Sequence, residues 1–324
     1  MLRRPLSPTA DMVVALRLLL PFAAALASAF AVDRLSARRG LLPPGFRIPW
    51  RRAAAFSLLA ALLWGAVFLP LGRLGETLVL DPAKITTPQL FVLHALMLGV
   101  VVAWSALGYA FLPPARAPLA DAAVPPPRPP APSFWRVLAA QLGFRAPDVP
   151  REIGLGLLLG VAAWGVVVAA LVSIAVVVWA LHGESALPKE PPAIIPWIAA
   201  LPVGVRLAVS LSAGFVEETF FRGFLQPRVG IVLSTAMFAL AHLSYGQPFM
   251  LVGITLLSLI YALLVRWRQT VWPAIAAHSL FDGVQLLVII PVALRVLGRG
   301  PAGAGKAAAL VVDLLPALLG KLIC

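Results

Sequence analysis

Three short groups of polar side chains interrupt apolar stretches in the second half of the chain. They are Glu217-Glu218 with Arg222, then His242, then His278 with Asp282. A carboxylate and an imidazole can together activate a water molecule, and an imidazole can also donate a hydrogen bond to a developing oxyanion. Residues of these types, held in one place, predict a site for hydrolysis.

The spacing of the first group separates its two carboxylates. On a helix Glu218 and Arg222 share a face, because residues four apart are neighbours, and they can form an ion pair. Glu217 is rotated from Glu218 by about 100° and has no partner on its own helix. We predict that Glu217 either faces a cavity or takes part in chemistry, whereas Glu218 and Arg222 satisfy each other as a supporting pair. The alternative is a charged helix end at the cytoplasmic interface.

The histidines also allow two interpretations each. A lone imidazole such as His242 is more often a hydrogen-bonded core residue than a ligand. His278 and Asp282 share a helix face near Trp272-Pro273, where proline fits the first helical turn, so the aspartate could simply hold a buried histidine. Charge at membrane depth is costly, which favours a functional reason for it. Because three separate apolar segments each carry ionisable side chains, we predict that these side chains form one common site.

The composition predicts an all-α fold, a polytopic transmembrane bundle of about eight or nine spanning helices. Of the 324 residues, 61% are hydrophobic and only 12% are charged, and the mean hydropathy is +0.95. A soluble domain would carry about twice that charged fraction. Apolar runs of suitable length for a membrane span lie at 12–32, 53–71, 90–112, 153–181, 202–225, 229–243, 250–265, 273–297 and 307–323.

A proline-rich segment divides these runs. We predict an N-terminal three-helix membrane region at 1–112, a Pro-rich cytoplasmic linker at 113–150 and a core at 151–299. Residues 300–324 form a last helix that either spans or lies at the interface. His94, in the third run, is interpreted as a structural polar contact rather than as part of the site.

The net charge of +13 does not predict nucleic-acid binding. Lysine and arginine cluster in short segments between apolar runs, as the positive-inside rule describes, and this pattern predicts an N-out, C-in topology with lipid as the partner. The site would then lie toward the cytoplasmic side. Cys324 is the single cysteine, which excludes an intrachain disulfide and a cysteine-based metal site.

The order EExxxR (217–222), FxxxH (238–242) and HxxxD (278–282) resembles the CPBP family, which includes CAAX prenyl proteases and bacterial Abi proteins. The resemblance covers roughly residues 150–297. It implies a glutamic intramembrane protease in which Glu217, assisted by His242, activates water. His278 and residue 282 would stabilise the oxyanion. The prenyl protease carries Asn where this chain has Asp282, so Asp282 either serves as a donor or orients His278.

Other functions share this residue set. Two histidines and two carboxylates could bind zinc, although the chain has no H-E-x-x-H helix and Glu218 would be engaged by Arg222. A proton relay or transporter and a silent immunity or scaffold protein are further alternatives. We predict a protease without a cofactor that acts on a membrane-associated peptide or protein, in a bacterial inner membrane. The sequence makes no prediction of oligomeric state.

Overall fold

A computed structural model of the chain describes residues 8–73, 86–110, 133–187, 194–245 and 248–296. The predicted C-terminal helix at 300–324 and most of the Pro-rich linker lie outside these ranges. The described residues form helices and no strand. The helices are α1 (Pro8–Arg38), α2 (Pro49–Leu63), α3 (Gln89–Tyr109), α4 (Phe134–Gln141), α5 (Val149–His182), α6 (Ile194–Ala200), α7 (Val203–Glu218), α8 (Gln226–Val229), α9 (Ile231–Ala241), α10 (Pro248–Arg268), α11 (Trp272–Val284) and α12 (Ile290–Val296).

Six of the described helical stretches are long and apolar enough to cross a membrane. They correspond to the predicted runs at 12–32, 53–71, 90–112, 153–181, 250–265 and 273–297. The run at 229–243 forms the shorter apolar helix α9, and the run at 202–225 forms α7 and a π-helical segment, Thr219–Leu225. The prediction of an all-α, polytopic membrane bundle is confirmed, and the chain is an integral membrane protein.

One hydrophobic core joins the N-terminal helices to the site-bearing helices. Ala29 on α1 and Leu63 on α2 belong to the same buried cluster as Phe224 and Phe238. Trp104 on α3 packs edge to face against Phe224, with ring centroids 5.0 Å apart. Packing therefore crosses the boundary predicted at 113–150, and the helices before it support those after it.

Glycines bring the site-bearing helices close together. A Cβ atom on Gly156 of α5 would lie 2.3 Å from the Pro273 carbonyl oxygen on α11. A Cβ atom on Gly214 of α7 would lie 2.1 Å from Ser279 Oγ and 2.8 Å from the Ser279 backbone nitrogen. Small residues let membrane helices approach at backbone distance, so α5 and α7 both pack tightly against α11.

The basic helix ends meet at one end of the bundle. Arg39 Nη1 after α1 donates to the Pro227 carbonyl at 2.8 Å, and the indole of Trp272 donates to the Phe144 carbonyl at 3.0 Å. A cavity of about 760 Å³ at this end is lined by residues that include Arg39, Arg228 and Arg266. We call this end of the bundle, around Arg39, Arg228 and Arg266, the basic end. The positive-inside rule predicts that it faces the cytoplasm.

Candidate active site

The segment that carries the glutamates changes helical form just after them. Glu217 and Glu218 are the last residues of α7, and the π-helical segment Thr219–Leu225 follows with every residue buried. π-Helical turns are rare and often occur at functional sites. The Thr219 hydroxyl donates at 2.6 Å to the Phe215 carbonyl, which also accepts from the Thr219 backbone N–H at this transition.

Glu218 lies in a buried ionic network. Its Oε1 atom accepts a hydrogen bond from Arg222 Nη1 at 3.0 Å and lies 2.7 Å from His278 Nδ1. Arg222 Nη2 donates to the Ser258 carbonyl at 3.1 Å. The guanidinium also lies over the Phe238 ring, 4.4 Å from its centroid. This network links α7, α10 and α11, so Glu218 is committed to holding helices together.

Glu217 lies between two imidazoles that come from different helices. Its Oε1 is 3.7 Å from Nε2 of His94 on α3, and its Oε2 is 4.0 Å from Nε2 of His242 at the end of α9. Both separations suit charge interaction but exceed a direct hydrogen bond. The Glu217 side chain is 16% exposed, so it is mostly shielded from solvent. Glu217 Oε2 has no hydrogen-bond partner among the described residues.

His242 is oriented by its own helix. It follows the last residue of α9, and its Nδ1 lies 2.7 Å from the Phe238 carbonyl oxygen. Since a carbonyl can only accept, Nδ1 carries the proton, and Nε2 is the nitrogen toward Glu217. The Phe238 ring packs against the imidazole at 4.7 Å between centroids. The FxxxH spacing thus supplies both a hydrogen bond and a ring contact.

His278 has carboxylates at both ring nitrogens. Nδ1 faces Glu218, and Nε2 lies 3.5 Å from Oδ2 of Asp282, one helical turn further along α11. Tyr261 on α10 stacks on the imidazole with ring centroids 5.3 Å apart. The structure therefore brings all six predicted residues together. Glu217 and Glu218 end α7, Arg222 lies in the π-helical segment, His242 follows α9, and His278 and Asp282 lie on α11. Their roles remain predictions.

Two residues at the site were not predicted to belong to it. His94, which we interpreted as a structural polar contact, does contact Ser212, but its imidazole also lies next to Glu217, where the sequence did not place it. A signal was available, since His94 is an ionisable side chain inside a spanning run, as His278 is. Tyr261 is 1% exposed, and its hydroxyl has no hydrogen-bond partner among the described residues. Nothing in its sequence context marked it.

The donor set does not match a preformed metal centre. Among the described residues, no group of three or more His, Cys, Asp or Glu side chains is arranged to hold a metal ion. Glu218 and His278 bind each other, which removes one donor atom of each from such a role. A site without metal nevertheless stays a prediction, and the zinc alternative is addressed by a chelation experiment below.

Comparison with known proteins locates the family resemblance in the site-bearing segment. Residues 199–284 match the family described as type II CAAX prenyl endopeptidase Rce1-like. The uncharacterized protein YpbD of Bacillus subtilis (strain 168) is 30% identical over 77 residues, which are 24% of this chain and 41% of that protein. The chain thus spans less than half of the length of this relative. No solved structure matches the chain.

The family match covers the helices that carry Glu217, His242 and His278, and it ends just after Asp282. It does not extend to α3, which carries His94. The resemblance predicted from the three motifs is therefore confirmed as a similarity: residues 199–284 are similar to a protease family, the Rce1-like type II CAAX prenyl endopeptidases.

Proposed function

We propose that this protein is an intramembrane endopeptidase in which Glu217 is the general base. The observation that carries the proposal is the position of the Glu217 carboxylate between two histidines, inside an apolar helix bundle. The neighbouring Glu218 is already bound to Arg222 and His278. Of the two glutamates, Glu217 is the one that has no arginine partner and faces two histidine Nε2 atoms, which suits it to accept a proton from water.

The reaction is hydrolysis of a peptide bond. Glu217 removes a proton from a water molecule held with His242, and the water oxygen bonds to the peptide carbonyl carbon. The carbonyl electron pair moves onto oxygen and forms a tetrahedral oxyanion. When the intermediate collapses, the C–N bond breaks and the proton held by Glu217 passes to the leaving nitrogen. The products are a carboxylic acid and an amine, and no oxidant or reductant is consumed.

His278 is the proposed oxyanion donor, and Asp282 orients it. The contact between His278 Nδ1 and Glu218 fixes one edge of the imidazole and leaves Nε2 as the edge that can donate to substrate. Asp282 lies 3.5 Å from Nε2, which supports an orienting role rather than donation by the aspartate itself. The Asp282 side chain is 28% exposed, more than its neighbours, so this edge of the site is the accessible one.

The site lies within the membrane on the side of the basic end. At 1.5 Å per residue, His278 is about 9 Å along α11 from Trp272, and His242 is about 16 Å along α9 from Ile231. Both distances are shorter than a hydrocarbon core about 30 Å thick, as a site within the membrane requires. With the basic end in the cytoplasm, the scissile bond would enter from the cytoplasmic side. We propose a membrane-associated peptide or protein as substrate, and a bacterial inner membrane as location.

Hydrolysis in oxygen-18 water tests this function. The purified full-length protein in liposomes would be incubated with a panel of membrane-anchored peptides, and the products analysed by mass spectrometry. The proposal predicts two fragments, with one heavy oxygen in the new carboxylate. Binding of peptides without any cleavage by folded protein would contradict it and would favour the scaffold alternative.

A further inference from the structure

The N-terminal region contributes a histidine next to predicted site residues that otherwise all lie within the family match, residues 199–284. We propose that His94 is a positioning residue for Glu217, which makes α3 part of the functional site. The contact joins Nε2 of His94 to Oε1 of Glu217 across 3.7 Å, and the His94 side chain is 13% exposed. The catalytic consequence rests on the proposed function, whereas the contact itself does not.

The hydrogen bonds around His94 determine which nitrogen faces the carboxylate. Ser212 Oγ on α7 donates to the Val209 carbonyl at 3.1 Å, so its proton is committed. The Ser212 oxygen can then only accept from Nδ1 of His94, which lies 3.1 Å away. We infer from this arrangement that Nδ1 carries the proton, and Nε2 is the atom presented to Glu217. Ser212 thus orients His94 in the way that a fixed acceptor orients other functional histidines.

His94 and His242 hold the carboxylate in matching ways. Each imidazole donates through Nδ1 to a fixed acceptor, Ser212 or Phe238, and each directs Nε2 at a different oxygen of Glu217. A bare Nε2 lone pair repels a carboxylate oxygen. Each contact between a histidine Nε2 and a Glu217 oxygen is therefore favourable when a proton or a water hydrogen lies between the two atoms. A general base that takes a proton from water needs such an arrangement.

The position of His94 is rigid because α3 packs against α7. Met97 and Val101, which follow on the same helix, are buried in the common core. An imidazole fixed in this way limits rotation of the Glu217 side chain from the side opposite His242. Without it, one carboxylate oxygen would lose its neighbour, and the carboxylate would spend less time in the orientation needed for proton transfer.

Kinetics of histidine variants give the first arm of the test. In the full-length protein, His94→Ala should lower kcat by about tenfold or more with little change in KM, because positioning affects the base rather than substrate binding. His94→Gln, whose amide can form a hydrogen bond in the place of Nε2, should recover part of the loss. His182→Ala is the matched control, since His182 is exposed at the end of α5. Equal kcat for His94→Ala and this control would overturn the inference.

Nitrogen-15 spectra of the histidine rings give an arm that needs no activity. The chain has four histidines, so each signal can be assigned with one substitution. Glu217→Gln should shift the His94 ring signals and leave those of His182 unchanged. Unchanged His94 signals would overturn the inference. If the wild type cleaves no peptide and the His94 signals still shift, the proposed function fails while the contact between His94 and Glu217 stands.

Discussion

Oε1 of Glu218 lies 2.7 Å from Nδ1 of His278, so the second glutamate of the pair ties α7 to α11. The same oxygen accepts from Arg222, and the whole Glu218 side chain is buried. When one partner of a buried ion pair is removed, the remaining charge is left without compensation in a medium of low polarity. Substitution of Glu218 should therefore lower the stability of the protein, whereas substitution of Glu217 should lower its activity and leave its stability unchanged.

Glu218→Gln should destabilise the protein. Arg222 would keep its positive charge in a fully buried position without the carboxylate, and we expect the free energy of unfolding to fall by about 3–5 kcal/mol. Thermal unfolding of the purified protein in detergent measures the effect. Glu184→Gln is the control, because Glu184 is exposed in the short helix after α5. Wild-type unfolding of Glu218→Gln would contradict the structural role.

Gly214→Ala should damage both packing and activity. The added methyl group would meet Ser279 on α11 at 2.1 Å from Oγ and 2.8 Å from the backbone nitrogen, so α7 must move away from α11. Overpacking of this kind costs about 1–3 kcal/mol, and the shift would lengthen the Glu218–His278 contact. Unfolding and peptide cleavage would both be measured.

Gly204→Ala on the same helix is the matched control for Gly214→Ala. A Cβ atom at Gly204 meets nothing within 4 Å, and alanine favours helix over glycine. This variant should be as stable as the wild type or slightly more stable. If both alanine variants behave alike, close approach of α7 and α11 at Gly214 does not hold the site together.

Asp282→Asn should be milder than Asp282→Ala. If Asp282 orients His278 before the substrate binds, an amide oxygen in the same place can still contact Nε2, whereas alanine cannot. We expect Asp282→Ala to lower kcat by about tenfold and Asp282→Asn to lower it less, with KM nearly unchanged in both. Equal losses in the two variants would show that the negative charge matters rather than the hydrogen bond.

Chelation separates the glutamic mechanism from the zinc alternative. A site that uses only Glu217 and its histidines should keep its activity after prolonged dialysis against a strong chelator. Loss of cleavage that is restored by added zinc would contradict a metal-free mechanism. Metal content measured on the same preparation by mass spectrometry provides the control, because a tightly bound ion could survive the dialysis.

The contacts that sequence spacing could predict are those within one helix. Because a helix brings residues four apart to one face, the Glu218–Arg222 pair and the His278–Asp282 neighbourhood follow from numbering alone. Apolar runs likewise located the spanning helices to within a few residues; α11, for example, begins at Trp272 where Pro273 suggested it. These features depend on local geometry and on lipid as solvent.

Contacts between helices depend on packing that one sequence does not reveal. Glu217 and His94 are far apart in the chain and meet because α3 lies against α7. The contact of Glu218 with His278 requires the close approach at Gly214, and spacing offered no reason to expect it. The π-helical segment after Glu218 was also not predicted, since its residues read as an ordinary apolar helix.

The rate of peptide cleavage by Glu217→Gln tests the central claim most directly. Glutamine keeps the shape of the side chain but cannot accept the proton of water, so kcat should fall by about a thousandfold or more while unfolding stays that of the wild type. Glu184→Gln, assayed beside it, should cleave normally. Cleavage by folded Glu217→Gln at a rate within about tenfold of the wild type would contradict Glu217 as the general base.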